Sequence, residues 1–376
     1  MPRVLATFRH PRCDLVPPGA ANDGAASLEK WVAAAVGEDV DLSIAAGTTR
    51  EAFQELLPWN VPVNCAVCSC AETQVLFTAT DRLYRTTRRR FQVVACAGCG
   101  LLRLDPPPAA SELDAYYPAN YWFAPDESTA GSLEELWRRL VLRDHVSFVA
   151  RALADSGARG PVLDVGCGGG LFLRLLAQRG HRVIGLDNSA DAARVAWSIN
   201  GVPAIRASLE SAPLPPASCA AITMFHVLEH LYDVRPYLRA AARLLAPKGR
   251  LIVQVPNAGC WQYRLLGRAW NGLDVPRHLY DFRTRDLEAL LEACGFEVLR
   301  RKHFSLRDNP AGMASSLAPG LDPMARRVRR VDESPAGKLA KDLLYLGLLT
   351  ASVPFTIAEA AFRAGSTIMI EARVRA

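Results

Sequence analysis

No uninterrupted apolar run in this 376-residue chain reaches the length of about 20 residues that a membrane-crossing helix needs. The longest, Leu343 to Ala358, falls short and contains Pro354. Two readings remain for it: docking against the rest of the protein, or lying in a membrane interface, a weak membrane-surface contact. Charge of one sign is not in marked excess either. The 44 basic and 38 acidic residues leave a net +6, mild for this length, so neither nucleic acid nor a membrane is called for. Arginine-rich runs are local: Arg82, Arg85 and Arg88-Arg89-Arg90, then Arg326-Arg327 and Arg329-Arg330. They read as solvated surface, with contact to an anionic substrate as the alternative. A secretory signal is missing, because Met1 to Leu15 carries four Arg or His residues and no apolar h-region. The expectation is a cytoplasmic protein, in which ten cysteines point to thiols or metal ligands rather than disulfides.

Residues 1–60 carry no motif. Helices at Ser27–Val36 and Thr49–Leu57 and a strand at Val40–Ala45 are expected there, in an appended segment bounded by prolines. Residues 61–106 are more informative. Cys65-Ala66-Val67-Cys68 and Cys96-Ala97-Gly98-Cys99 are two knuckles about one hairpin apart, the ligand spacing of a zinc ribbon. Gln74–Phe77 and Phe91–Val94 read as the strands between them. Four thiolates leave no open coordination position, so Cys65, Cys68, Cys96 and Cys99 point to structural zinc. Cys70 falls outside the spacing.

Pro106-Pro107-Pro108 ends that module. Residues 107–160 hold an aromatic cluster, Tyr116, Tyr117, Tyr121, Trp122 and Phe123, and a helix expected over Ser132–Ala154. The aromatics read as packing or as a lid over the next domain.

From Pro161 strands and helices alternate, the sign of a parallel sheet covered on both faces. The stretch Val162-Leu163-Asp164-Val165-Gly166-Cys167-Gly168-Gly169-Gly170 reads as a buried strand, a glycine turn and the start of a helix. Asp187 ends the second strand about 20 residues past that turn, where a carboxylate can accept both hydroxyls of a ribose. The turn is not Gly-x-Gly-x-x-Gly, and an acid precedes its first glycine. A carboxylate there repels a pyrophosphate and suits a cofactor carrying positive charge. That favours S-adenosylmethionine over a nicotinamide dinucleotide.

These residues resemble the class I S-adenosylmethionine-dependent methyltransferases, in the branch of the ubiquinone-pathway O-methyltransferases. Val162–Gly168 resembles their first motif, Gly185-Leu186-Asp187 the second, and Phe225-His226-Val227-Leu228-Glu229-His230-Leu231 the fourth-strand motif. Leu245-Ala246-Pro247-Lys248-Gly249 resembles the turn into strand five, and Trp270–Leu279 a substrate-side loop. The resemblance implies a Rossmann-like α/β sheet of seven strands over residues 161–304 and 366–376, the last strand antiparallel beside strand six. Residues 305–365 become a helical insertion. It also implies that Asp164, Gly166 and Gly168 hold the methionine portion, Asp187 the ribose, Ser208 and Leu209 the adenine edge, with Phe225 and His226 beside the sulfonium. The family often has an acid where Ser208 stands, and Phe-Asp where this chain has Cys219-Ala220.

Methyl transfer needs an aligned nucleophile and, for a hydroxyl, a proton acceptor. His278, His226 and His230 are the candidate bases. Glu229 and His230 can instead pair with each other or hold a divalent metal, and Arg277 can bind a substrate phosphate or carboxylate or form a surface salt bridge. The implied partner is a small-molecule acceptor, a hydroxyl or carbon of a sugar or secondary metabolite. An RNA or protein target gripped by the ribbon and Arg82–Arg90 is the alternative; no Asn-Pro-Pro-Tyr motif follows strand four to favour it. A cofactor-binding module without turnover is the third reading.

Overall fold

The computed structural model describes residues 64–118 and 129–375. The elements expected in residues 1–60, and Tyr121, Trp122 and Phe123, lie outside the described residues. Strands β1 (Thr73–Ala79), β2 (Phe91–Cys96) and β3 (Leu102–Leu104) come first, then the long helix α1 (Thr129–Ser156). The alternation follows as β4 (Val162–Val165), α2 (Leu171–Ala177), β5 (Val183–Asp187), α3 (Ala190–Ser198), β6 (Ala204–Arg206), β7 (Cys219–Phe225), α4 (Val234–Leu244) and β8 (Leu245–Pro256). Helix α5 (Trp261–Leu266), β9 (Tyr280–Asp281), α6 (Thr284–Ala293) and β10 (Phe296–Lys302) lead to a helical region. That region is α7 (Asn309–Leu317), α8 (Pro323–Val328) and α9 (Pro335–Ala361), and β11 (Thr367–Val374) closes the chain.

Seven strands form one sheet in the order β10-β11-β8-β7-β4-β5-β6. Strands β4 to β8 pair in parallel, and β11 runs antiparallel between β8 and β10. This is the Rossmann-like α/β sheet expected from the sequence. All four residues of β4 are buried, as a strand covered on both faces requires. The strand order reverses at β4, so a crevice opens beyond the carboxyl ends of β4 and β7, where ligands of such sheets bind.

Local chemistry sets the element ends. The Ser189 hydroxyl accepts the Ala192 N–H at 3.3 Å and starts α3. That helix stops at Ser198, and the Asn200 amide turns back to donate to the Gly169 carbonyl at 2.6 Å. In α4, Val234, Leu238, Ala241 and Leu244 recur at helical spacing and are all buried; each buried leucine contributes about 1.5–3 kcal/mol. The turn expected before strand five lies inside β8. Leu245 pairs with Cys219 and Arg250 with Ala221, so the residues between form a bulge, with Lys248 at φ 65°.

Three expectations change. The ribbon does not end at residue 106: its sheet runs β1-β2-β3-β9, with Leu102 paired to Asp281 and the Leu104 N–H bonded to the Leu279 carbonyl at 3.0 Å. The open edge of β3 is thus filled from the segment after the Trp270–Leu279 loop, and residues 62–376 form one compact unit. Second, the far end of the segment assigned to a lid is core. Val146, Val149 and Ala152 of α1 pack with Phe172, Leu173, Leu176 and Ile252. Third, Leu343–Ala358 sits within α9, whose 27 residues include an 18-residue stretch of mean hydropathy 1.5, enough for a membrane crossing by length and composition.

Candidate functional site

Glycine shapes the crevice. Gly166, Gly168 and Gly170 take φ of 70°, 52° and 76°, the left-handed region that other residues enter at a cost. A Cβ placed on Gly168 meets no atom within 4 Å, so this turn borders open space on the crevice side. Asp187 ties β5 to the turn: its carboxylate accepts the Gly168 N–H at 2.9 Å and the Ser189 N–H at 2.8 Å. Two bonds leave lone pairs for two ribose hydroxyls. Burial raises its pKa, against the lowering by those N–H groups. Asp164, almost closed off from solvent, accepts the Thr223 hydroxyl at 2.5 Å, and burial pushes its pKa up to about 7. Phe225 ends β7 edge-on to Phe172 at 5.0 Å. Ser208 bonds Ser211 at 2.9 Å, and the Leu209 side chain is fully buried, which leaves backbone groups to meet an adenine. The open turn, the carboxylate at its flank and the aromatic ring beyond β7 fit a nucleoside cofactor with a cationic end.

Three imidazoles lie beyond β7, in different states. His226 has a left-handed backbone (φ 57°), and its Nδ1 lies 3.0 Å from the Glu229 carboxylate. Burial alone lowers its pKa, but Asp308 and Glu229 outweigh burial and take it up to about 9. His230 presents Nδ1 to the Arg277 carbonyl and the Tyr117 hydroxyl, each at 3.0 Å, and burial with neighbouring His278 pushes it down to about 4. His278 presents Nδ1 to the Gly272 carbonyl at 2.8 Å. A carbonyl only accepts, so in His230 and His278 Nδ1 carries a hydrogen, and His278 Nε2 lies 3.9 Å from the Asp274 carboxylate. The two rings meet edge-on at 4.7 Å. Ligand atoms of Glu229, His230 and His278 all lie within 4.8 Å of one another, a donor set that suits a divalent cation.

Arg277 is neither a substrate anchor nor a surface residue. Its side chain is fully buried, bonded to Asp81 and Asp274 and stacked over Tyr84 at 4.5 Å. No donor is left facing the crevice.

The four ribbon thiols converge. Sγ of Cys65 and Cys99, and of Cys68 and Cys96, stand 3.5 Å apart, and all four lie within 4.8 Å. Tetrahedral Zn–S bonds of about 2.3 Å put the sulfurs about 3.8 Å apart. Two arginines clamp the knuckles: Arg235 donates to the Ala66 and Val67 carbonyls at 2.8 and 3.1 Å, and Arg283 to the Cys99 carbonyl at 2.8 Å.

A family model described as a methyltransferase domain matches residues 135–301. A ubiquinone biosynthesis O-methyltransferase of Pectobacterium carotovorum is 31% identical over 172 residues, 43% of this chain and 72% of that protein. The chain belongs to the S-adenosylmethionine-dependent methyltransferases. A probable S-adenosylmethionine-dependent methyltransferase of Mycolicibacterium smegmatis is 36% identical over 156 residues, 40% of this chain and 57% of that one, so the match spans just over half of that relative. A solved putative sarcosine dimethylglycine methyltransferase from Galdieria sulphuraria has a TM-score of 0.44 and 18% identity, covering 62% of this chain and 86% of that one.

Around the methyltransferase site, sequence reasoning missed Asp308, Gln254 and His145. Asp308 lies 3.6 Å from His226 Nε2 and 3.9 Å from His145 Nε2, and accepts the Gln254 amide at 2.8 Å. Burial raises its pKa, but Arg307 and His226 outweigh that and hold it well below the carboxylate range. His145 is fully buried, and among the described residues neither of its ring nitrogens has a hydrogen-bond partner. One signal was available: Gln254 interrupts the apolar run Leu251-Ile252-Val253-Gln254-Val255 of a buried strand.

Proposed function

We propose that this methyltransferase acts on a hydroxyl or carbon of a small molecule, of the sugar or secondary-metabolite kind. Asp187, the glycine turn and Phe225 are the residues to hold S-adenosylmethionine, which when bound supplies a methyl group on a sulfonium for in-line displacement. The observation that carries the reading is the set of differently poised imidazoles beyond β7. His278, held through Nδ1 by the Gly272 carbonyl and with Asp274 3.9 Å from its Nε2, takes the acceptor's proton. His230, at about 4, is too weak a base for that and orients its neighbours, while His226, at about 9, keeps its proton between Glu229 and Asp308.

Two of the five arginines between residues 82 and 90 are engaged by the protein itself, which also weighs against an RNA target. Arg82 donates to the Ala269 and Ser316 carbonyls at 2.9 and 2.8 Å, and Arg89 pairs with Glu112 at 2.6 Å. The four ribbon thiolates hold a structural zinc ion, and the free cysteines support a cytoplasmic setting. Release of S-adenosylhomocysteine from the full chain, measured across hydroxylated small molecules and across RNA, tests the acceptor class. Turnover with RNA alone would replace this reading.

A further inference from the structure

Helix α9 has its faces the wrong way round for a helix between protein and water. The residues it buries are Leu349, Ser352, Thr356 and Glu359, a mostly polar stripe recurring every three or four positions. Glu359 there accepts the Gln262 N–H and side-chain amide, both at 3.0 Å, and Tyr345 meets the Ser315 hydroxyl at 3.0 Å. The opposite stripe carries Leu343, Leu346 and Ile357, which are 59%, 51% and 53% exposed, with Leu339 and Leu344 beside them at 60% and 62%. Soluble helices show the reverse pattern. From Leu343 to Ala358 no charged residue interrupts the face, a length of about 24 Å at 1.5 Å per residue. An apolar surface that large is an interaction site.

The rim indicates what covers it. Lys338 and Arg363, exposed, stand at the two ends of α9. Near the second end, Trp261 of α5 stacks on Phe362 at 5.2 Å, and the same helix exposes Leu265 and Arg264. Of the acids near the first end, Glu333 is paired with Arg326 and Lys341 and Asp342 with Arg326, and Asp332 stands exposed before the helix. An apolar stripe with exposed phenylalanine and leucine, a half-buried tryptophan beside them, and Lys338, Arg264 and Arg363 at its ends matches a bilayer surface with anionic headgroups. A second copy fits less well, because antiparallel pairing of two α9 helices sets cationic end against cationic end.

We propose that the outer face of α9 docks on an anionic lipid surface. The helix lies on the membrane and does not cross it, since its polar stripe is bonded to α5 and α7. The site does not depend on the identity of the methyl acceptor.

The test uses the full chain, vesicles of phosphatidylcholine with or without phosphatidylglycerol, and flotation. The expected result is binding to phosphatidylglycerol vesicles that falls with salt, with weak binding to phosphatidylcholine alone. Combined Leu343→Ser, Leu346→Ser and Ile357→Ser substitutions are expected to weaken it at least about tenfold, with S-adenosylmethionine affinity unchanged as proof of folding. Equal flotation of variant and wild type would overturn the proposal. So would a wild type that ignores both vesicles, or a stable dimer by light scattering that the triple variant dissolves and that does not bind lipid.

Discussion

Arg277 grips Asp81 through two bonds, Nη2 to Oδ1 at 2.8 Å and Nη1 to Oδ2 at 3.1 Å, with neither side chain reached by solvent. Asp81 also accepts the N–H groups of Tyr84 and Thr86, so one carboxylate organises the β1–β2 connection and the loop that carries His278. Removing one partner of a buried pair leaves an uncompensated charge, at a cost of about 3–5 kcal/mol. Asp81→Ala is expected to lose that much stability in urea unfolding. A change below about 1 kcal/mol would mean the pair is matched by solvent, as exposed pairs are.

In the proposed cofactor site, Asp187 has lone pairs left for the ribose. Asp187→Ala is expected to weaken S-adenosylmethionine binding roughly 10- to 100-fold, the worth of charge-assisted hydrogen bonds of about 1.5–3 kcal/mol. Calorimetric titration measures it, and unchanged affinity would place the nucleoside elsewhere.

The glycine turn, Asp164 and Asp187 were legible in the sequence because each is local: a strand end, a turn and a cap separated by fixed chain lengths. The two knuckles were legible for the same reason. What could not be read is where remote segments meet. Asp308 stands about 80 residues after His226 with no periodicity to link them, and β9 is two residues long, too short for any alternation to mark it. Arg277 looked like an anion anchor because its buried partner, Asp81, is 196 positions away.

His226 gives the fold a pH dependence. Its folded pKa stands at about 9, above the ordinary 6.5. The stabilisation from its charge is therefore complete below about pH 6.5 and lost as pH rises through about 9. The urea midpoint of the wild type is expected to fall over that window more than that of His226→Gln. Parallel profiles would show that His226 is not the group responsible.

His278→Gln keeps a hydrogen-bonding side chain but removes the proposed base. Turnover with a productive hydroxyl acceptor is expected to fall by about 10²- to 10⁴-fold, with S-adenosylmethionine affinity unchanged. An equal loss in His230→Gln but not in His278→Gln would move the role to the neighbouring ring.

Zinc content should be one ion per chain, and Cys65→Ser or Cys99→Ser should abolish it with a lower melting temperature. Equal zinc in variant and wild type would dismiss the ribbon site.

The strand pairing of Leu102 with Asp281 makes the cysteine-bearing sheet and the Trp270–Leu279 loop a single inheritance. A chimera that takes residues 64–104 from one relative and the catalytic sheet from another cuts through a continuous sheet, and the loop bearing His278 loses its anchor two residues downstream. Exchanges that move both segments together preserve it. Acceptor preference in this lineage is therefore expected to travel with the ribbon, although no ribbon residue needs to touch the acceptor.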